Sequence, residues 1–391
     1  MSEILEAPVD ASSHAASKYT RNSPFQSRVL TNYLLTAEGS EKETRHVELS
    51  LEKGMAYTPG DAVGIIAENR REAVDEVLDV LDFTGSERVL DHYKVEIDLD
   101  EALRTRLAIG KLTRGSVTQF AKLAPESEGL KAMTGAEGKA RAEEYCWGRE
   151  FADLVRDYPG LVKDPQQLFN ILARLTPRMY SIASSQAMHP DSVHTTVRVV
   201  RYDAHGAERQ GLASGHLGER APTGGTIPIF LHANGNFRLP VDSSTPVIMV
   251  GPGTGIAPFR AFLEERQAKG ETGDNWLFFG EQRRALDFLY QEQFEGMHKE
   301  GVLTRLDTAF SRDQAKKIYV QDRMQEQCAE IYSWLERGAY FYVCGDATRM
   351  AKDVENALLD AIAKGSHGTL EHAAEYLATM KKDKRYQRDV Y

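Results

Sequence analysis

Three glycines at alternate positions, Gly251, Gly253 and Gly255, stand between the apolar run VIMV and the amphipathic segment APFRAFLEER. A strand, a glycine turn and a helix in this order bring backbone N–H groups and the positive end of a helix dipole together, where they can hold a phosphate group. The spacing departs from the common dinucleotide-binding fingerprint, because Ile256 stands where its third glycine would be. The loop predicts a phosphate-bearing ligand, and the alternative is a strand-to-helix turn with no ligand.

A second set of chemically capable residues lies in the segment TPRMYSIASS. Arg178 and Tyr180 point to the same face if this segment is a strand, and Ser181 adds a hydroxyl beside them. The guanidinium could hold a pyrophosphate while the aromatic ring stacks on a planar group. Taken alone, such a triplet is more often a surface arginine and a core tyrosine without a shared function.

Composition limits the classes of function. The chain has 391 residues, a formal net charge of -10 and 41% apolar residues, which predicts two soluble domains and argues against a nucleic-acid partner. Membrane insertion is not expected, because no apolar run approaches the roughly 18 residues that a span needs. Cys146, Cys328 and Cys344 show no pairing or metal-ligand spacing, so we expect no metal site and a cytoplasmic location.

The elements that must position these residues follow from periodicity. Alternating apolar residues predict a β domain over residues 24–241, interrupted at about 69–172 by a mostly helical insertion. Val74, Val77, Leu78 and Leu81 form one face of the first helix of that insertion. Strands and helices then alternate over residues 242–391, which predicts a parallel α/β domain. Residues 1–23 are predicted to be a flexible tail.

The ordered motifs RMYS, GLAS, GPGTGIAPFRAF, FFGEQ, SRDQAKKIYVQ, YVCGDATRMAKDV and RYQRDVY resemble the ferredoxin–NADP reductase module of the diflavin reductases. The resemblance covers about residues 24 to 391. It implies an antiparallel β-barrel FAD-binding domain with a helical insertion, followed by a parallel α/β NADP-binding domain. It also implies an NADPH-dependent FAD oxidoreductase.

The resemblance assigns most site residues. The residues that match FAD contacts are Arg178, Met179, Tyr180, Ser181, Thr196, Val197, Arg198, Tyr202, Gly211, Leu212, Ala213, Ser214 and Tyr391. The residues that match NADP contacts are Gly253, Thr254, Ser311, Arg312, Lys317, Ile318, Tyr319, Val320, Gln321 and Asp353. Hydroxyl, guanidinium and ammonium groups among the latter suit the 2′-phosphate of NADPH, although the neighbouring Asp313 does not.

Four residues match the catalytic positions of this family: Ser181, Cys344, Asp389 and Tyr391. Ser181 is expected near the reactive flavin nitrogen, whereas Cys344 and Asp389 position the nicotinamide and handle charge. Tyr391 would cover the flavin face and swing aside when the nicotinamide arrives. Without the resemblance, Cys344 would be interpreted as a small buried hydrophobe and Tyr391 as a frayed terminal residue.

The electron acceptor is expected to be a separate protein, because the sequence offers no room for the flavodoxin-like FMN domain of a complete diflavin reductase. The ending RYQRDVY resembles the sulfite-reducing branch of the family, which implies a siroheme protein or a flavodoxin-like FMN protein as partner. Two alternatives stay open: a general flavodoxin or ferredoxin reductase, and a non-catalytic flavin-binding module.

Overall fold

The structure is a computed structural model that describes residues 18–391. Its strands, in chain order, are β1 (Phe25–Leu34), β2 (Glu43–Ser50), β3 (Ala62–Ile65), β4 (Arg88–Leu90), β5 (Glu96–Asp98), β6 (Arg178–Ser181), β7 (Ser192–Val199), β8 (Arg201–Ala204), β9 (Ala207–Gln210), β10 (Thr226–His232), β11 (Val247–Val250), β12 (Asn275–Glu281), β13 (Arg305–Phe310), β14 (Tyr340–Gly345) and β15 (Tyr386–Val390).

The helices, in chain order, are α1 (Arg71–Leu81), α2 (Leu99–Thr105), α3 (Arg114–Ala121), α4 (Glu128–Lys131), α5 (Lys139–Cys146), α6 (Phe151–Asp157), α7 (Leu168–Ile171), α8 (Leu212–Gly215), α9 (Ala257–Lys269), α10 (Arg284–Asp287), α11 (Gln291–Lys299), α12 (Val320–Glu326), α13 (Cys328–Glu336), α14 (Met350–Gly365) and α15 (Leu370–Lys382). Short 3-10 turns occupy Pro165–Gln167 and Gly253–Ile256, and a π-helical turn occupies His216–Arg220.

Six strands form one sheet in the order β6-β3-β10-β1-β2-β7, so that β6 and β7 are its two edges. Directly after β6, Ile182 forms an antiparallel bridge with Thr195 of β7, and the N–H of Ala183 donates to the carbonyl of His194 at 2.8 Å. These contacts join the two edges, and the sheet therefore closes on itself as a barrel. The expected β-barrel is confirmed.

A second sheet contains five parallel strands in the order β13-β12-β11-β14-β15. All four residues of β11 are buried, as expected for a parallel strand that is covered on both faces. The first four strands of this sheet lie in the apolar runs from which strands were predicted. The strand β15 was not predicted, because YQRDV lacks both an apolar run and clear alternation.

Backbone contacts divide the chain into two compact units. Unit 1 comprises the described residues up to Gly64, Met179–Thr196 and Pro228–Tyr391, and unit 2 comprises Ile65–Arg178 and Val197–Ile227. Unit 1 thus holds the five-stranded sheet and most of the barrel. The domain boundary near residue 242 stays a prediction.

Unit 2 has its own apolar core, to which the helices α1 to α7 contribute. In α1 the residues Val74, Val77 and Leu78 are buried, as the helical spacing predicted. The N-cap hydroxyl of Thr113 accepts from the backbone N–H of Ser116 at 3.1 Å, which satisfies one free donor at the start of α3.

Residues 1–17 of the predicted tail lie outside the described part of the chain. Of the remainder, Tyr19 donates a 2.8 Å hydrogen bond from its hydroxyl to Glu52, and its ring lies 5.1 Å from that of Phe25. Within residues 18–391, no helix combines the length and the apolar character needed to cross a membrane.

Candidate functional site

The glycine turn lies between β11 and α9 and leaves no room for side chains at two positions. A Cβ atom on Gly255 would lie 2.1 Å from the carbonyl oxygen of Cys344, and one on Gly251 would lie 2.5 Å from that of Gly255. Gly253 has a φ of 58°, in the left-handed region that favours glycine. The backbone here is packed tightly against the end of β14, and the turn leads directly into a helix of 13 residues. This arrangement fits a phosphate-bearing ligand.

The predicted catalytic residues meet at the carboxyl end of β14. Cys344 and Asp389 are register partners in the parallel pair β14 and β15. The hydroxyl of Ser181, at the end of β6, donates to Oδ2 of Asp389 at 2.7 Å, and the Sγ of Cys344 lies 4.0 Å from the same oxygen. One carboxylate oxygen therefore has a hydroxyl and a thiol beside it.

The thiol of Cys344 stays protonated at neutral pH. Complete burial raises its pKa well above the ordinary value, and the negative charge of Asp389 raises it further, against a smaller opposing effect of the Ser181 hydrogen bond. Cys344 is therefore a neutral group beside Asp389 and not a nucleophilic thiolate.

Tyr391 extends the same group of residues to the glycine turn. Its hydroxyl lies 2.9 Å from Oγ1 of Thr254, and its backbone N–H donates to the carbonyl of Gly345 at 3.0 Å. The residue as a whole is nevertheless 62% exposed. An aromatic ring fixed by its backbone but open to solvent can stack on a planar ligand, as the predicted role requires.

The strand β6 presents the RMYS residues in part to solvent. Arg178 and Met179 are exposed, while Tyr180 and Ser181 are half-buried. Arg178 belongs to unit 2 and the other three belong to unit 1. The exposed guanidinium suits an anionic group of a ligand, so the strand fits the predicted FAD contact.

The side chain of Thr196 does not face an open site. It is 4% exposed, and its hydroxyl lies 2.7 Å from the hydroxyl of Tyr290, which in turn lies 2.9 Å from Nδ1 of His46. These contacts use the hydroxyl of Thr196 inside unit 1. The role of Thr196 in binding FAD stays a prediction. Because its hydroxyl already contacts Tyr290, the backbone of Thr196 is the part that would contact FAD.

The remaining predicted FAD residues belong to unit 2. Arg198 and Tyr202 are exposed, whereas Val197 is buried, and the ring of Tyr202 lies 6.3 Å from the exposed ring of Trp147. Gly211 is the N-cap of α8, and Leu212, Ala213 and Ser214 are its first three residues. A Cβ atom on Gly211 would lie 2.5 Å from Oγ of Ser214, and the backbone N–H of Val200 donates to that hydroxyl at 3.2 Å.

The residues predicted to bind the 2′-phosphate lie in the loop between β13 and α12 and in the first turn of α12. Ser311 and Arg312 come directly after β13, and their backbone N–H groups donate to the carbonyls of Glu281 and Gln282 at 2.9 and 2.8 Å. Lys317 is exposed in the loop before α12. The other predicted residues of this stretch are Ile318, half-buried, Tyr319, exposed, Val320, buried, and Gln321, half-buried.

Asp313 has a hydrogen-bond partner in the structure, whereas Asp353 is an exposed residue of a helix. Oδ2 of Asp313 accepts from the backbone N–H of Arg284 at 3.0 Å, so this side chain has a partner of its own beside the predicted phosphate pocket. Asp353 is exposed in the first turn of α14. Its predicted contact with NADP stays a prediction.

Sequence reasoning missed the loop between β1 and β2, which contacts this pocket. Glu41 contacts Arg312, Lys42 pairs with Glu281 at 2.6 Å, and Ser40 donates to Asp287. A short charged stretch between two alternating strands is typical of a solvated turn. No local signal could therefore have shown these contacts.

A buried polar cluster in unit 1 was also missed. Among the described residues, His46, Glu48 and His194 form a group of three potential metal ligands whose ligand atoms lie within 4.8 Å of one another. However, Nη1 of Arg260 lies 3.5 Å from Nδ1 of His194, and a guanidinium at that distance disfavours a second cation. The cluster is better explained as a hydrogen-bonded network of neutral imidazoles.

Comparison with known families agrees with this geometry. Residues 17–216 match the family described as "FAD binding domain", and residues 249–356 match the family described as "Oxidoreductase NAD-binding domain". The chain therefore belongs to the FAD-binding-domain family of flavoprotein oxidoreductases. The two domains bind FAD and a nicotinamide dinucleotide, which confirms the prediction of FAD and NADPH as cofactors.

Curated relatives resemble almost the whole chain. It is 46% identical over 387 residues to the sulfite reductase [NADPH] flavoprotein alpha-component of Bacillus subtilis, which covers 98% of this chain and 64% of that protein. The proteins of the same name from Photorhabdus laumondii and Yersinia enterocolitica are 45% and 46% identical over 96% of this chain. The chain spans 62 to 64% of the length of these relatives.

Proposed function

We propose that the protein is an NADPH-dependent flavoprotein reductase that takes electrons from NADPH through a bound FAD and passes them to a separate acceptor protein. The observation that carries this proposal is the convergence of Ser181, Cys344 and Asp389 at the end of β14, next to the glycine turn. The cofactors supply the redox chemistry when bound, since nicotinamide donates two electrons at a time and a flavin can release them singly.

The side chains supply binding and electrostatics. The exposed Arg178 and the ring of Tyr180 would hold the FAD pyrophosphate and isoalloxazine, and the turn at Thr254 would meet the pyrophosphate of NADPH. Asp389 would supply a negative charge near a bound nicotinamide, which becomes positively charged when it gives up hydride. Ser181 keeps its proton on Oγ and directs it at Oδ2 of Asp389, at 2.7 Å.

Tyr391 would keep water from the flavin face until the nicotinamide displaces its ring. The ring would have to give up only the exposed contact of its hydroxyl with Thr254, because the backbone N–H of Tyr391 holds the residue to the end of β14. Ser311, Arg312 and Lys317 would distinguish NADPH from NADH by the charge of the 2′-phosphate.

We further propose that the terminal reaction is the reduction of sulfite to sulfide by a siroheme partner. The names of the relatives support this proposal, because they describe the flavoprotein component of an NADPH sulfite reductase. The helical insertion, with Trp147 exposed at its surface, is the proposed docking region for the acceptor. All three cysteines are unpaired, which supports a cytoplasmic location.

The test is anaerobic stopped-flow reduction of the FAD-loaded protein, first by NADPH and then by NADH, followed by a siroheme protein or a flavodoxin. We expect rapid bleaching by NADPH and reoxidation by the siroheme protein. Reoxidation by flavodoxin alone would indicate a general flavodoxin reductase. A protein that binds FAD but is not bleached by NADPH would instead be a non-catalytic flavin-binding module.

A further inference from the structure

The loop between β1 and β2 is fixed against the polypeptide that follows β12. The backbone N–H of Ala37 donates to the carbonyl of Leu286 at 2.8 Å. The ammonium of Lys42 contacts both carboxylate oxygens of Glu281, at 2.7 and 2.6 Å. Because both contacts flank Glu41, the position of that residue is set by the fold.

Glu41 lies against the guanidinium that is predicted to bind the 2′-phosphate. Its two carboxylate oxygens lie 2.5 and 2.6 Å from Nη1 of Arg312, and Oε1 also lies 3.4 Å from Nη1 of Arg283. The hydrogen bond from Arg312 holds the pKa of Glu41 below its ordinary value, so the carboxylate is charged at neutral pH. Neither side chain is buried: 54% of Glu41 and 38% of Arg312 is exposed.

A carboxylate and a phosphate monoester present similar oxygen pairs to a guanidinium. We propose that Glu41 is a specificity-determining residue that competes with the 2′-phosphate of the dinucleotide for Arg312 and is displaced when that phosphate binds. This inference rests on the proposed NADPH-dependent function and adds a second, internal ligand to its phosphate pocket.

The competition has a definite direction. A phosphate monoester carries about -1.5 to -2 charges near neutral pH, against -1 for a carboxylate, and it can also engage the hydroxyl of Ser311 and the exposed ammonium of Lys317. The dinucleotide phosphate therefore displaces Glu41. NADH has no group for Arg312, so the ion pair with Glu41 persists when NADH binds, and departure of NADP⁺ does not leave Arg312 unpaired.

The experiment measures binding of 2′,5′-ADP and of 5′-AMP to the FAD-loaded full chain by calorimetry at low ionic strength. We expect Glu41→Gln to bind 2′,5′-ADP about two- to fivefold more tightly, the range that follows from the modest strength of an exposed ion pair. Binding of 5′-AMP should not change. Glu41→Ala should show the same direction, which guards against an effect peculiar to the glutamine side chain.

Two controls separate the possible causes. Glu38→Gln removes the same charge from an exposed position of the same loop, and an equal gain there would attribute the effect to net charge and overturn the proposal. In an Arg312→Ala background, Glu41→Gln should have no further effect, because the competition acts through Arg312.

The outcomes distinguish this inference from the function on which it rests. Unchanged or weaker binding of 2′,5′-ADP by Glu41→Gln, with Arg312→Ala still impaired, would overturn the role of Glu41 alone. If the wild-type protein does not prefer 2′,5′-ADP to 5′-AMP, and Arg312→Ala binds 2′,5′-ADP as the wild type does, then the prediction of a 2′-phosphate pocket at Arg312 is wrong.

Discussion

The hydroxyl of Ser181 donates a 2.7 Å hydrogen bond to Oδ2 of Asp389, across 208 positions of the chain. The bond joins the last residue of the barrel strand β6 to β15, the last strand of the parallel sheet in chain order. It fixes the orientation of a carboxylate that also lies 4.0 Å from the buried thiol of Cys344. The proposed reaction depends on this geometry.

Replacing Ser181 by alanine should slow the reduction of bound FAD by NADPH about tenfold to hundredfold. A hydrogen bond to a charged group contributes roughly 1.5–3 kcal/mol, and its loss leaves Asp389 free to turn away. The rate is measured by anaerobic stopped flow, with FAD content determined in parallel. Ser366→Ala, at the end of α14, is the control. Equal rates for Ser181→Ala and the wild type would contradict the proposed role.

Tyr391 should act through its ring and not through its hydroxyl. We expect Tyr391→Phe to behave nearly as the wild type, since the bond to Thr254 is exposed. Tyr391→Ala should bind NADP⁺ about three- to tenfold more tightly, because an aromatic stack worth roughly 0.5–1.5 kcal/mol no longer competes with the nicotinamide. The affinity of each variant for NADP⁺ is measured by titrating the protein with NADP⁺ and following the flavin absorption. Identical behaviour of the two variants would exclude a stacking role.

The glycine turn should not accept a methyl group at position 255. A Cβ atom there would lie 2.1 Å from the carbonyl oxygen of Cys344, so Gly255→Ala should destabilise the protein by about 1–3 kcal/mol and weaken NADPH binding. Gly296→Ala, in α11, meets no atom within 4 Å and should be stabilising by about 0.5–1 kcal/mol. Denaturant unfolding measures the free energy of unfolding of both variants. Equal changes would show that a Cβ atom at position 255 does not meet the carbonyl of Cys344.

The buried histidines should make the protein sensitive to mild acid. Burial lowers the pKa of His46 to about 3 and that of His194 to about 2, from an ordinary value of 6.5. The unfolded chain therefore takes up protons below pH 6.5 while these two folded-state groups do not, so the free energy of unfolding falls as the pH falls below that value.

The expected loss is about 1.4 kcal/mol per pH unit for each histidine. Arg260, His189, Glu48 and Tyr290 surround the pair, and the guanidinium adds to the cost of protonation. Urea unfolding of the wild type and of His194→Gln between pH 5 and 8 is the measurement. The variant should lose less stability on acidification, and parallel curves would refute the assignment.

Sequence reasoning succeeded where a local pattern determines the structure. The glycine turn, the apolar strands β11 to β14 and the buried face of α1 could all be predicted, because each depends on spacing within about 20 residues. The resemblance to a family added the group at the end of β14. Its members Ser181, Cys344 and Asp389 are far apart in the chain, and no periodicity relates them.

The failures have a common physical cause. Glu41 and Arg312 are separated by 271 positions, and a charged residue in a turn gives no sign that it will meet a partner. The buried hydroxyl of Thr196 depends likewise on Tyr290, which is 94 positions away. The strand β15 exists because β14 offers it an edge, although the sequence YQRDV has no apolar alternation of its own.

The parallel sheet in unit 1 is completed by β15, at residues 386–390. During synthesis the ribosome releases the barrel strands first, so β6 emerges about two hundred residues before the strand that carries Asp389. Pairing over such a separation is slow and comes late in folding. The nascent chain can therefore build most of its barrel, and bury its histidines, well before Ser181 meets Asp389. The group formed by Ser181, Cys344 and Asp389 is therefore among the last parts of the described chain to assemble.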